Sequence, residues 1–256
     1  MIDIPQPKDV LATAQRIQGI ANYTPVHTSR TLNALTGHQI FLKCENFHRV
    51  GAFKFRGAFN AVSQLSDAQK AAGVITHSSG NHAQGLALAA KLLQVKATIV
   101  MPEDSPEIKK AATAGYGAEI VTCTAVERER VCTELMAKQG STLIHPYDNP
   151  KIIAGAGTAA LELLQDRGPL EMIFTPVGGG GLISGTALAA AAIQPDCRVV
   201  GVEPAAGNDA QRSWQSGEIV RLTAVPDTLA DGLRTRFVGA YNLPIMRQLV
   251  SEMLTV

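Results

Sequence analysis

Three short segments carry residues whose types and spacing could do chemistry. The first, ENFHRVGAFKFRGAFNA, sets Lys54 between Phe53 and Phe55, immediately after an expected strand and in the first turn of a helix. Apolar flanks and the positive end of a helix both disfavour an ammonium ion, which leaves a neutral amine able to attack an aldehyde. Taken alone, the segment also allows a surface lysine that lays its stem along apolar neighbours.

The second, VITHSSGNHAQGLALAAK, passes from strand through a small polar turn into a helix. Backbone N–H groups and the side chains of Ser78, Ser79 and Asn81 could there receive an anion such as a carboxylate, or could simply cap the helix. The third, IFTPVGGGGLISGTALAAA, places Gly178, Gly179, Gly180 and Gly181 where a buried strand turns into a helix. Backbone without side chains lets several N–H groups converge on a phosphate, whose charge the helix dipole favours.

A glycine turn followed by a helix, a strand and Glu203 also imitates a dinucleotide-binding unit, which would make the chain a nicotinamide-dependent oxidoreductase. The spacing gives no clean GxGxxG, because Ser184 occupies the position three after Gly181, and the unit stands late in the chain. That reading leaves Lys54 and the SSGNH turn without a role.

These segments must be held by a framework, and the chain supplies one. From about residue 38 onward, β-rich runs alternate with stretches of helical period: QIFLKCE, VITHS, ATIVMP, AEIVTC, TLIHP, EMIFTPV and RVVGVEP. Alternation of this kind implies βαβ crossovers, parallel sheet and an α/β fold. Phe55, Ala58, Phe59, Val62 and Leu65 mark the buried face of the lysine helix. Asn149 with Pro150, and Ser105 with Pro106, each read as an N-cap followed by proline at the first helical position.

Composition bounds the partners. Lys and Arg number 23 against 22 for Asp and Glu, so there is no basic field with which to grip nucleic acid, and a small molecule is the expected ligand. Cys44, Cys123, Cys132 and Cys197 are scattered without a CxxC pair and read as buried thiols. The tract LISGTALAAAAI is too short to span a bilayer, and the start MIDIPQPKDV lacks a signal-peptide pattern, so no membrane role is expected and the cytoplasm is the default location.

In combination and in this order, the lysine helix, the SSGNHAQG turn and the PVGGGG loop resemble the fold-type II pyridoxal-phosphate family that includes threonine dehydratases and serine racemases. The similarity covers nearly the whole chain and is closer to the serine racemase and 3-hydroxyaspartate dehydratase branch. Threonine dehydratases usually carry alanine at the second position of the turn, where this chain has Ser79. GVEPAAGNDA also resembles the divalent-cation site of the racemases, with Glu203, the Gly207 carbonyl and Asp209 as ligands suited to Mg²⁺ or Ca²⁺.

The resemblance implies a tryptophan synthase β-subunit-like fold of two three-layer, parallel-sheet domains: residues 73–148 as the smaller, 1–72 and 149–256 as the larger. It implies that Lys54 holds pyridoxal 5′-phosphate as a Schiff base, Phe53 packs near its ring, Asn81 bonds its 3-oxygen and Gly178 to Gly181 hold its phosphate. Ser78, Ser79, Gly80, Asn81 and His82 would receive the substrate carboxylate, and Asp231 and Gly232 would line the far side of the pocket. Ser79 would face the side of the cofactor opposite Lys54. The implied activity is dehydration or racemisation of serine, threonine or a related 3-hydroxy amino acid, by a homodimer.

SEMLTV reads as the beginning of a strand that stops at Val256, which suggests a truncated chain and opens the reading of a catalytically silent fragment. In the family, the serine or threonine that faces the pyridine nitrogen would lie beyond this point. A neutral hydroxyl there favours elimination and racemisation over transamination.

Overall fold

The computed structural model describes residues 3–78 and 80–256. The apolar runs Val74–His77 and Ala97–Pro102 form the centre of a four-stranded parallel sheet, flanked by Glu119–Cys123 on one side and Thr142–Leu143 on the other. Every residue of Ala97–Pro102 is buried, as expected of a parallel strand covered on both faces. A second parallel sheet orders Met172–Pro176, Arg198–Glu203 and Glu252–Thr255. The helices Asn81–Leu92, Glu107–Gly115, Arg128–Gln139 and Gly181–Ile193 form the crossovers.

The sequence expectation of parallel sheet fails for the first β-rich run. Phe41–Lys43 pairs antiparallel with Val26–Thr28, Val26 opposite Lys43, and belongs to neither larger sheet. Both strands are short and only partly covered, so they lack the two buried faces that a parallel sheet requires. A second correction follows: Lys54 does not come straight off a strand. Two 3₁₀ turns, Glu45–Phe47 and Arg49–Gly51, intervene, and Val50 and Gly51 have φ of 58° and 68°, which no extended strand accommodates.

The lysine helix spans Lys54–Ser63, and Phe55, Ala58, Phe59, Val62 and Leu65 are all buried as the periodicity required. They share a core with Val74, Leu86, Ala89 and Ile99, which ties this helix to the four-stranded sheet. Asn149 caps the long helix Pro150–Arg167 by accepting from the N–H groups of Lys151 and Ile152 at 2.9 and 3.3 Å. Ser105 does not cap its helix. Pro106 adopts ψ of 134° and is itself the flanking residue, so the helix starts one position later, at Glu107.

Helix Pro150–Arg167 is buried along most of its length and joins the parts. A Cβ placed on its Gly155 would lie 2.4 Å from the Cα of Gly57 in the lysine helix. One placed on its Gly157 would lie 2.5 Å from the carbonyl oxygen of Gly185 in helix Gly181–Ile193. The three helices therefore cross in backbone contact.

Candidate active site

The glycine contacts explain why three segments far apart in sequence meet. Besides the two crossings on the long helix, Gly85 of helix Asn81–Leu92 lies against the start of the lysine helix, its would-be Cβ 3.2 Å from the Lys54 carbonyl carbon. The SSGNH turn, the lysine and the glycine loop are thus carried by helices that cannot slide without a backbone clash.

Lys54 Nζ donates to the carbonyl oxygen of Pro146 at 2.7 Å and lies 5.2 Å from the centre of the Phe53 ring. Burial disfavours the ammonium and lowers its pKa to about 8. Lys54 is half-buried with its amine turned onto a carbonyl, which is not how a surface lysine with a solvated head sits. The neutral form is accessible near physiological pH, and the carbonyl keeps the amine in one place.

The segment HPYDN, residues 145–149, was not singled out in the sequence, yet it connects everything else. The N–H groups of Asp148 and Tyr147 donate to His145 Nδ1 at 2.9 and 3.4 Å, so this nitrogen carries no proton. Burial first, then the nearby His77 and Lys54, lower the His145 pKa to about 3. Pro146 receives Lys54, and the Tyr147 ring covers Gly179. Asp148 accepts from the N–H groups of Ala240 and Tyr241 at 2.9 and 2.8 Å. The sequence marks this segment only through the run TLIHP, whose strand stops at Leu143, and the helix start at Asn149, because the contacts are nearly all to backbone.

The glycine loop is shaped by crowding. A Cβ on Gly179 would fall 2.4 Å from the Tyr147 ring, and one on Gly178 would be 3.1 Å from Thr235 Oγ1 and 3.4 Å from the Gly232 carbonyl oxygen. Gly180, with φ of 93°, turns the chain into the helix. The N–H groups of Gly178 to Gly181 donate to no acceptor among the described residues, and Thr235 Oγ1 and Asn242 Oδ1 are buried without a partner there. Free donors and an orphaned hydroxyl at the start of a 13-residue helix fit a phosphate. The loop also brings Gly232 to the site, while Asp231 pairs with Lys109 at 2.8 Å.

In the SSGNH turn, Gly80 is the residue that enters the helix and makes no side-chain cap, so Asn81 is not a cap. Ser78 Oγ accepts from the Gly80 N–H at 3.4 Å, a local turn contact. Asn81 is exposed. His82 is buried with its Nε2 2.9 Å from the Ile144 carbonyl oxygen, while its Nδ1 has no partner among the described residues. Ser79 lies outside the described residues.

Glu203 and Asp209 are 1% and 2% exposed, not the solvated pair that an isolated reading of the motif would give. Glu203 accepts from the N–H groups of Ala210 and Gln211 at 3.3 and 2.6 Å, and Asp209 Oδ2 has no partner among the described residues. Desolvation, with Asp209 adding repulsion, raises Glu203 to about 7, and desolvation raises Asp209 to about 7. Gly207 is buried between them in sequence, under Pro226. Two buried carboxylates, one with an oxygen that has no partner among the described residues, fit a hard divalent ion.

A reactive buried amine, a phosphate-shaped glycine loop and two parallel sheets define a cofactor enzyme of the α/β class. The sequence pattern of the family described as pyridoxal-phosphate dependent enzyme matches residues 17–256, and the chain belongs to that family. It is 55% identical over 250 residues to an L-threo-3-hydroxyaspartate ammonia-lyase of a Pseudomonas species, covering 97% of this chain and 78% of the relative. It is 50% identical over 255 residues to a serine racemase of Schizosaccharomyces pombe, covering 99% and 79%. The crystal structure of serine racemase from Dictyostelium discoideum superposes with a TM-score of 0.93 at 42% identity, covering 98% of this chain and 81% of that one. The nicotinamide reading of the glycine loop is therefore set aside. Pyridoxal phosphate is the cofactor of this family.

Proposed function

We propose that this chain dehydrates and racemises a small 3-hydroxy amino acid such as serine, threonine or 3-hydroxyaspartate. The observation that carries the reading is Lys54: an amine close to neutrality, held 2.7 Å from the Pro146 carbonyl, beside a loop with free phosphate donors. Pyridoxal phosphate, when bound, supplies a sink for the charge left at Cα after proton removal.

Lys54 would hold the cofactor through its amine, and that amine is the base placed to take the Cα proton of the substrate. Gly178, Gly179, Gly180 and Gly181 would hold the phosphate, Asn81 would bond the 3-oxygen, and Phe53 would pack beside the ring. Ser78, Ser79, Gly80, Asn81 and the backbone of His82 receive the substrate carboxylate, with Gly232 on the far side. Loss of the β-hydroxyl as water leaves an enamine, and its hydrolysis by a second water gives the 2-oxo acid and ammonia. Return of a proton to Cα by Ser79 instead of Lys54 would give the mirror-image amino acid.

Glu203, the Gly207 carbonyl and Asp209 would hold Mg²⁺ or Ca²⁺. Residues 73–148 act as the smaller domain and 1–72 with 149–256 as the larger, with the site between them, in a cytoplasmic homodimer. No helix of the described residues is long and apolar enough to cross a membrane.

The test is borohydride reduction of the cofactor-loaded protein followed by peptide mapping, with assay of 2-oxo acid and of D- and L-serine. A reduced adduct on Lys54 with both products is expected. Cofactor bound without an adduct on Lys54 overturns the assignment.

A further inference from the structure

The N-terminal helix Pro7–Ile17 packs against both the lysine helix and helix Pro150–Arg167, and between the three lies a cleft of about 360 Å³. Its floor is the side chain of Asn60, on the lysine helix and 1% exposed. Asn60 Oδ1 accepts from Arg16 Nη1 at 2.7 Å and from Gln64 Nε2 at 2.9 Å, and Asn60 Nδ2 donates to the Lys151 carbonyl at 2.7 Å. One amide therefore joins all three walls.

Two cations face the same cleft and neither has a carboxylate partner among the described residues. Arg16 makes its one side-chain bond to Asn60, and Lys151 Nζ makes only a long contact, 3.4 Å, to the Gln64 carbonyl oxygen. The Lys151 ammonium is disfavoured first by burial and then by repulsion from Arg16. The lining also carries Asp9, which accepts from the Gln6 N–H at 2.7 Å, and the exposed Asp3, and neither of them pairs with Arg16 or Lys151. Lys8 adds a third cation to the lining. The floor and both cations belong to elements separate from the glycine loop, so this is not an extension of the cofactor site.

We propose that this cleft binds a small oxyanion, a phosphate or a carboxylate, between the Arg16 guanidinium and the Lys151 ammonium, and that through Asn60 the bound anion braces the helix that begins at Lys54. The positioning is direct: Asn60 is on that helix, and Lys151 is in the first turn of the helix that follows the Pro146 carbonyl on which Lys54 rests. An anion joining Arg16 to Lys151 removes their repulsion and fixes the two helix ends that frame the lysine.

The experiment uses the pyridoxal-phosphate-loaded protein, so that the glycine loop is filled, and follows its melting temperature with added inorganic phosphate or succinate at constant ionic strength. A saturable rise of about 4 °C at ten times the Kd is expected. Arg16→Gln and Lys151→Gln should each lose most of it, whereas Lys96→Gln, at a distant exposed ion pair with Glu119, should retain it. A response to phosphate alone assigns a phosphate-bearing ligand, and one to succinate alone a carboxylate. Slower amide exchange over residues 54–63 with the anion bound would support the bracing role. No saturable shift with either anion, or a shift that survives both substitutions, overturns the proposal.

Discussion

Gly57 and Gly155 meet backbone to backbone, with room for no atom between the helix that carries Lys54 and the helix that follows the Pro146 carbonyl. The site is aligned by the absence of two side chains. Gly155→Ala forces these helices apart and should destabilise the protein by about 1–3 kcal/mol, the range for overpacking a filled core. Lys54 should move away from Pro146 as well. A thermal melt and the yield of borohydride-trapped cofactor check both, and an alanine variant that matches the parent in both would show that the crossing is not tight.

Lys54 has a pH signature of its own. Its pKa is lowered to about 8 in the folded chain against an ordinary value of 10.5. Between these values the unfolded chain binds the extra proton, so the stability of the cofactor-free protein should rise with pH from about 8 to 10.5. Lys54→Met should remove that rise. Urea midpoints measured across the window decide the matter, and an unchanged slope in the methionine variant would show that the lysine is solvated.

Arg56, two residues on, is fully buried and reaches Glu45 through Nε at 2.8 Å, Glu162 through both terminal nitrogens, and the Asn22 carbonyl. Glu162 also pairs with Lys43 at 2.6 Å, whereas Glu45 retains only the hydroxyl of Thr24 if Arg56 is removed. Arg56→Met should therefore cost about 3–5 kcal/mol, as for breaking one partner out of a buried pair. Adding Glu45→Gln should recover part of it. Denaturant unfolding of the single and double variants tests this, with a double variant no more stable than the single counting against it.

Glu203 and Asp209 carry the metal prediction. Burial raises both to about 7, so the folded protein keeps protons that the unfolded chain has lost above pH 4.5, and without a cation its stability should fall as pH rises from 4.5 to 7. Mg²⁺ or Ca²⁺ should reverse that fall and raise the melting temperature most above pH 7, and chelation should lower it again. Glu203→Gln should lose the response. A cation response that is flat with pH, or intact in that variant, would place the metal elsewhere.

The chain read alone determined what local chemistry can express. Periodicity placed the buried face of the lysine helix, the turn residues marked the SSGNH and glycine segments, and the Asn149–Pro150 pair fixed a helix start, because each depends on neighbours within a few residues. Motif order gave the family. What only the tertiary structure decided were relationships between distant backbones: Phe41–Lys43 pairs antiparallel, Glu203 and Asp209 are buried, and the HPYDN segment holds Lys54 through a carbonyl. Carbonyls and N–H groups are the same at every residue, so a site built from them leaves little trace in side-chain identity, and burial depends on what the rest of the fold lays on top.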